Sequence, residues 1–389
     1  MQLDLLDGEL YAGDPEPVYA WLREHAPAYW DEANGLWAVS RHADVVAVET
    51  DPELFTSSRG FRPKLPSDAS MIGKDDPEHL AQRRVLNRCF TPRAVKALEP
   101  RIRASVTRLV DGFARRGRCD LVRELAIPLP VIAILELLGF DAEEWPRFAR
   151  WAETLNAAGG GPRYFHEGVQ TAFAEFRAEA LRLVAERRLR PRDDLVSRMV
   201  AAADDASVRR SDDEIALEAL LLLDGGSDTT RHVIGGAAQE LTRHPEQLRL
   251  LAGDRRRLAL AVEEFVRWVT PILNMRRTAT RDTQLHGRRL RAGDEILLLY
   301  AAANRDERAF RDPQRFEVTR TPNPHLAFGF GTHFCLGASL ARLELRVVFE
   351  ELLRRLPDLR VAPGAQPRCV PNAFTRGLAS LELEFTPER

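Results

Sequence analysis

Cys335 lies in the run Phe328-Gly329-Phe330-Gly331-Thr332-His333-Phe334-Cys335-Leu336-Gly337, which leads straight into the amphipathic stretch Ala338 to Leu356. A cysteine at or just before a helix N-terminus meets free N–H groups and the positive end of the helix dipole, and both favour thiolate over thiol. Gly331 and Gly337 remove side chains on either side of the sulfur, so a flat, bulky ligand can lie against the backbone. A thiolate ligand to haem iron is the use this arrangement suits. Cys89, Cys119 and Cys369 lack the x-Gly that follows Cys335 and read as ordinary free cysteines, which behave as small buried apolar residues. The absence of CxxC or short Cys/His spacings argues against zinc and against a disulfide framework.

A second constellation is Leu220-Leu221-Leu222-Leu223-Asp224-Gly225-Gly226-Ser227-Asp228-Thr229-Thr230. Ser211 and Glu214 form a capping-box pattern that starts a helix able to run to Arg243, ahead of Pro245. Gly225 and Gly226 each cost about 1 kcal/mol against alanine in a helix interior, so stability alone explains them poorly. A small-residue groove followed by the acid Asp228 and the alcohol Thr229 can admit a diatomic ligand with water and deliver protons to it. Asp224 puts a carboxylate beside the groove, where burial demands a partner or a raised pKa. It contacts a polar group of a substrate, holds a water, or points away.

Together the F-x-x-G-x-x-x-C-x-G run and the Gly-Gly-x-Asp-Thr segment resemble the cytochrome P450 family, and the resemblance extends from Leu10-Tyr11-Ala12 through Phe374-Thr375-Arg376-Gly377. It implies a mainly α fold with small β-sheets, the single-domain triangular prism of that family, over residues 1–389. It also implies haem b as cofactor, Cys335 as iron ligand with Phe328, Gly331, Gly337, Gly225 and Gly226 against the macrocycle, Thr229 orienting dioxygen and Asp228 feeding protons.

Further residues fall where the family places helpers. His79 and Arg83, one turn apart, Arg277 and His333 match groups that meet the haem propionates. Glu264 and Arg267 can share a helix face. That spacing recurs in this chain, for instance at Glu179/Arg182, but the Glu264 copy precedes Asp312-Pro313-Gln314-Arg315-Phe316, which resembles the segment supplying a second arginine. Glu264, Arg267 and Arg315 are thus expected to form a buried network on the cysteine side. Arg84, Arg88, Arg342 and Arg346 are expected on the same face, a basic patch suited to an acidic ferredoxin. With no flavin or nicotinamide fingerprint, electrons are expected from a ferredoxin and its reductase.

Met71-Ile72-Gly73-Lys74-Asp75-Asp76-Pro77 and Asp228-Thr229-Thr230-Arg231-His232 look most like actinobacterial hydroxylases of the cholesterol or cholestenone side chain. The resulting expectation is a monooxygenase acting on a C–H bond of a hydrophobic small molecule, a sterol or steroid first, with Ile72, Asp224, Gly225, Ile272 and Phe374 lining the substrate pocket. A tailoring enzyme of terpenoid or polyketide biosynthesis keeps the chemistry and changes the substrate. A non-catalytic haem-binding sensor is the alternative of another class, against which the acid–alcohol pair argues.

These residues need helices to hold them. Apolar periodicity predicts helices at Ala94 to Arg116, Val131 to Leu138, Phe173 to Arg188, Ser211 to Arg243, Arg257 to Trp268 and Leu336 to Leu356. Strands are expected at Leu36 to Val39, Thr283 to Leu290, Glu295 to Tyr300 and Leu378 to Phe385, and irregular segments at Ser57 to Met71 and Asn156 to Pro162. The 389 residues carry a formal net charge of -2, which offers nucleic acid and acidic membranes no general attraction. Acidic residues and prolines interrupt the first thirty positions, leaving no apolar run for a signal or anchor, so a cytoplasmic protein is expected; a monomer is expected as well.

Overall fold

In the computed structural model, which describes residues 1–203 and 209–388, helices dominate and the strands are short. The helices that build the site are α1 (His42–Thr50), α2 (Glu78–Asn87), α3 (Pro128–Leu138), α4 (Trp145–Ala158), α5 (Asp212–Arg243), α6 (Leu258–Val269) and α7 (Ala338–Arg355). The capping box at the start of α5 is complete: Glu214 N donates to Ser211 Oγ at 3.2 Å, and Ser211 N donates to Glu214 Oε2 at 2.8 Å. Two orphan N–H groups are satisfied where the longest of these helices begins.

Proline explains the main difference from the periodicity reading. The stretch Ala94 to Arg116 is three pieces, Pro92–Lys96, Glu99–Asp111 and a 3-10 turn at Ala114–Arg116, with Pro100 in the first turn of the second. Pro100 lacks the N–H that would continue a helix through it, but it fits a first turn. The helix Asn156 was expected to leave continues to Ala158, and the last strand shrinks to Glu382–Glu384, with Leu378 held by a lone bridge to Cys369. The expected strand Thr283 to Leu290 is a hairpin turning at His286 and Gly287, both at positive φ.

A five-stranded sheet has the spatial order Ala28–Asp31, Leu36–Val39, Glu295–Leu299, Asn274–Ala279 and Phe55–Thr56, with only the second and third strands parallel. Its apolar faces make two of the three hydrophobic clusters. The third and largest surrounds α5, which packs on α3, α4, α6 and α7. Close approach of α3 requires Gly226: a Cβ there would stand 3.0 Å from Ile134 Cγ1.

Candidate active site

The loop before α7 is folded back on itself by a 2.8 Å hydrogen bond from Cys335 N to Phe328 O. Arg83 of α2 reaches across to this loop, donating to Thr332 O at 3.3 Å and also to Phe334 O. Burial pushes the Cys335 thiol up, while the Gly337 and Ala338 N–H groups and the Arg83 and Arg342 guanidiniums push it down. The helix terminus is therefore in place, but in the protein alone desolvation outweighs it. Gly337 lies on the cavity wall as expected. Gly331 does something else: at φ 66°, a Cβ there would lie 2.6 Å from Glu49 O, so this glycine lets the loop close against α1 and does not face the cavity.

Across the cavity runs α5. A Cβ on Gly225 would meet nothing within 4 Å, so this glycine opens space, in contrast to Gly226, which also serves helix packing. Thr229 Oγ1 donates to Gly225 O at 2.8 Å and lies on the same wall. Asp228 is buried, with Arg231 Nε at 2.8 Å and His232 Nε2 at 3.3 Å. Burial raises its pKa, but Arg231 and His232 outweigh that and hold the carboxyl below its ordinary range.

Two residues expected on the substrate wall are withdrawn from it. Asp224 is buried with Oδ2 3.7 Å from Arg62 Nη2, and burial pushes its carboxyl up to about 7. The Arg62 guanidinium lies 4.7 Å over the Phe374 ring. Neither Asp224 nor Phe374 lines the cavity, whereas Ile72, Gly225 and Ile272 do. Leucine and isoleucine thus form this part of the cavity wall, and the carboxylate is paired behind it.

The cavity between α5 and α7 is apolar along most of its wall and polar at one edge, where His79, Arg83, Arg277 and His333 converge. The His79 and His333 rings are 4.2 Å apart, and His79 Nδ1 is 3.0 Å from Asp76 Oδ1. His333 Nε2 is buried with no partner. Arg277 Nη2 donates to Glu49 Oε1 at 3.2 Å, and Tyr300 Oη donates to the same oxygen at 2.6 Å, so Glu49 and Tyr300 also belong to this edge. An apolar slot with a sulfur on one wall, a glycine gap on the other and an unsatisfied imidazole among two arginines at its edge fits a flat macrocycle bearing anionic groups.

Behind the sulfur, Glu264 and Arg267 are wholly buried and joined by two hydrogen bonds of 2.7 and 2.8 Å. The second arginine on Glu264 is Arg320, whose Nε donates to Oε2 at 3.1 Å. This corrects Arg315: its side chain is exposed, and only its main-chain carbonyl takes part, accepting from Arg320 Nη2 at 2.7 Å and from Arg267 Nη2 at 3.4 Å.

The Cytochrome P450 family profile matches residues 256–384. Steroid C26-monooxygenase of Mycobacterium tuberculosis is 43% identical over 389 residues, covering 99% of this chain and 97% of that protein. The chain belongs to the cytochrome P450 family. Methyl-branched lipid omega-hydroxylase of the same organism is 38% identical over 95% of this chain and 90% of its own. Among solved structures, CYP109E1 from Bacillus megaterium in complex with testosterone superposes with a TM-score of 0.91 at 30% identity, covering 97% of this chain and 99% of that one.

This P450 is a haem b monooxygenase, and the slot above is where its cofactor fits. Arg342 and Arg346 are not free cations: Arg342 pairs with Glu263 at 2.7 Å, and Arg346 pairs with Glu99 and Glu350 at 2.8 Å. Arg84 and Arg88 remain exposed on α2 and its C-cap. Sequence reasoning also missed Arg62, Arg320 and Glu344, a buried acid on the cavity wall pushed up to about 8 by burial despite a hydrogen bond with Thr230. No helix among the described residues is long and apolar enough to cross a membrane.

Proposed function

We propose that this P450 hydroxylates a C–H bond of a sterol or steroid, working as a cytoplasmic monomer with electrons from a ferredoxin and its reductase. The observation that carries the substrate reading is the apolar wall of Ile72, Leu221, Leu222, Ile272 and Met275 beside Thr229, from which Arg62 draws the Asp224 carboxylate away. Such a wall gains by desolvating hydrocarbon and offers an ion no partner. The 43% identity to a steroid C26-monooxygenase supports the same reading.

Haem bound in the slot supplies the activation of dioxygen. Cys335 would hold the iron, and Arg83, Arg277, His79 and His333 would hold the propionate edge. Thr229 would orient dioxygen, and Asp228 would supply the proton that Thr229 passes on. The Glu264, Arg267 and Arg320 network anchors the segment leading to the cysteine loop. Gly225 leaves a gap in the α5 wall that would admit dioxygen, and the apolar wall would exclude water around the reacting C–H bond.

Difference spectra with cholestenone, followed by product analysis with a surrogate ferredoxin and reductase, test the substrate. A spin-state change and a singly oxygenated product are expected. No change and no product with any sterol, together with hydroxylation of a methyl-branched fatty acid, would move the reading to the lipid chemistry named for the 38% identical relative.

A further inference from the structure

On the far side of α5 from the haem slot is a second cavity, of about 560 Å3, between the segment Ala12 to Tyr19, the C-terminal half of α5, the end of α6 and the Arg376-Gly377-Leu378 run. Its wall is polar, with Gln239, Glu240, Arg305 and Arg376 among its residues, and it opens to solvent. His232 lies on this wall and is 4% exposed. Its Nε2 is 3.3 Å from Asp228 Oδ2, so one imidazole bridges the second cavity and the buried acid. Its other edge rests on Gly377, where a Cβ would stand 1.6 Å from His232 Nδ1. Only glycine permits the ring to sit there.

We propose that His232 is the positioning residue through which protons from the second cavity reach Asp228. This rests on the reading of Asp228 as the acid that supplies Thr229. Asp228 also neighbours Asp224, which is paired with Arg62, and Arg231, which leads to Glu153 of α4 at 3.3 Å. A guanidinium holds its protons at any working pH and cannot pass one on, whereas imidazole accepts at one nitrogen while donating from the other. Groups facing His232 are Asp228 and Arg231 on its own helix and Glu153 on α4, with Glu240, Arg305 and Arg376 sharing the cavity wall. Burial lowers the ring's pKa and Asp228 raises it, with burial prevailing, so the resting ring is neutral.

The step balances without a further reactant. An N–H bond forms at Nδ1 as an O–H bond of a hydronium ion in the cavity breaks and leaves water, the Nε2–H bond breaks as the Asp228 Oδ2–H bond forms, and the ring is left neutral. After Asp228 has passed its proton towards Thr229, a half-turn of the ring about its Cβ–Cγ bond carries the Nδ1–H bond to Asp228 and the bare Nε2 to the cavity, where the next proton is taken up.

The test compares haem-loaded wild type with Asp228→Asn, His232→Phe, His232→Gln and Gly377→Ala. The reduced CO spectrum and the substrate spin shift are recorded first, then product rate, peroxide release and solvent isotope effect across pH. Asp228→Asn is expected to fall about a hundredfold, in the range of a lost general acid. His232→Phe and His232→Gln are expected to keep the spectra, lose about tenfold or more in rate and show a larger solvent isotope effect. Gln retains an N–H donor to Asp228 but cannot relay, so it separates proton passage from simple orientation and serves should Phe disturb folding. Gly377→Ala, which displaces an intact imidazole, is expected to behave like the His232 variants. NMR of the imidazole nitrogens should find His232 neutral with Nε2 protonated, and this signature should change in Asp228→Asn and in Gly377→Ala. His232→Gln at wild-type rate and isotope effect, with Asp228→Asn slow, overturns the inference alone. Asp228→Asn at wild-type rate overturns the reading beneath it.

Discussion

Arg315 and Arg320 offer a sharp test of the buried network, because sequence order favours one and geometry the other. Arg320→Ala removes the 3.1 Å donor to Glu264 Oε2 and the donors to the carbonyls of Arg311, Asp312 and Arg315. Glu264 keeps its bidentate contact with Arg267, so its charge stays compensated. The cost is then that of several buried acceptors losing a charged donor, about 3 kcal/mol, rather than the larger cost of a charge left alone. Glu264→Gln leaves the buried Arg267 guanidinium without a counter-charge and Arg320 with only Glu317 at 4.0 Å, and is expected to cost about 4 to 5 kcal/mol. For a chain of this length the unfolding entropy is about 0.8 kcal/mol per degree, so the midpoint falls by about 4 °C for Arg320→Ala and 5 to 6 °C for Glu264→Gln. Arg315→Ala keeps the only atom that takes part, its carbonyl, and should leave the midpoint within about 1 °C. The assay is thermal unfolding of the haem-loaded protein, followed by the Soret band and by far-ultraviolet circular dichroism. Equal losses for Arg315→Ala and Arg320→Ala, or none for Arg320→Ala, would refute the assignment.

Cys335→Ala should abolish the reduced CO thiolate band from which the family takes its name, and persistence of that band would remove Cys335 from the iron. Thr229→Ala should retain the band and the substrate spin shift while diverting electrons to peroxide or water, which the ratio of product to reductant consumed measures; normal coupling would count against its role. Asp224, pushed up to about 7 from 3.8, favours folding in its neutral form. Its contribution is therefore full below about pH 4 and lost as pH rises through about 7, by at most about 4 kcal/mol. Asp224→Asn should accordingly gain stability over wild type at pH 8 and lose that advantage towards pH 4, and parallel pH profiles for the two proteins would contradict this. Glu344, pushed up to about 8 from 4.5, and Glu218, up to about 7, carry the same sign, so Glu344→Gln should flatten the wild-type decline between about pH 4.5 and 8.

What the sequence makes legible is what short stretches of chain determine by themselves. Cys335 is tied to the start of α7 by two intervening residues, and the acid, alcohol and glycines of α5 sit within one and a half turns, so their spacing carries the chemistry wherever the helices go. The unread part depends on which distant segments meet. Arg320 outranks Arg315 only because the chain after Pro313 turns the later side chain inward, a choice that two arginines five residues apart do not encode. Asp224 looks like a substrate contact along the helix, and only the loop carrying Arg62 removes it from the wall. Gly331 and Gly377 make the same point from the other side: each is a glycine because of what it touches across the fold, Glu49 in one case and His232 in the other. Neither signal has a local pattern. A substitution at Gly377 is thus expected to act on Asp228 through His232 although the two positions are far apart in the chain, a coupling that no reading of either segment alone contains.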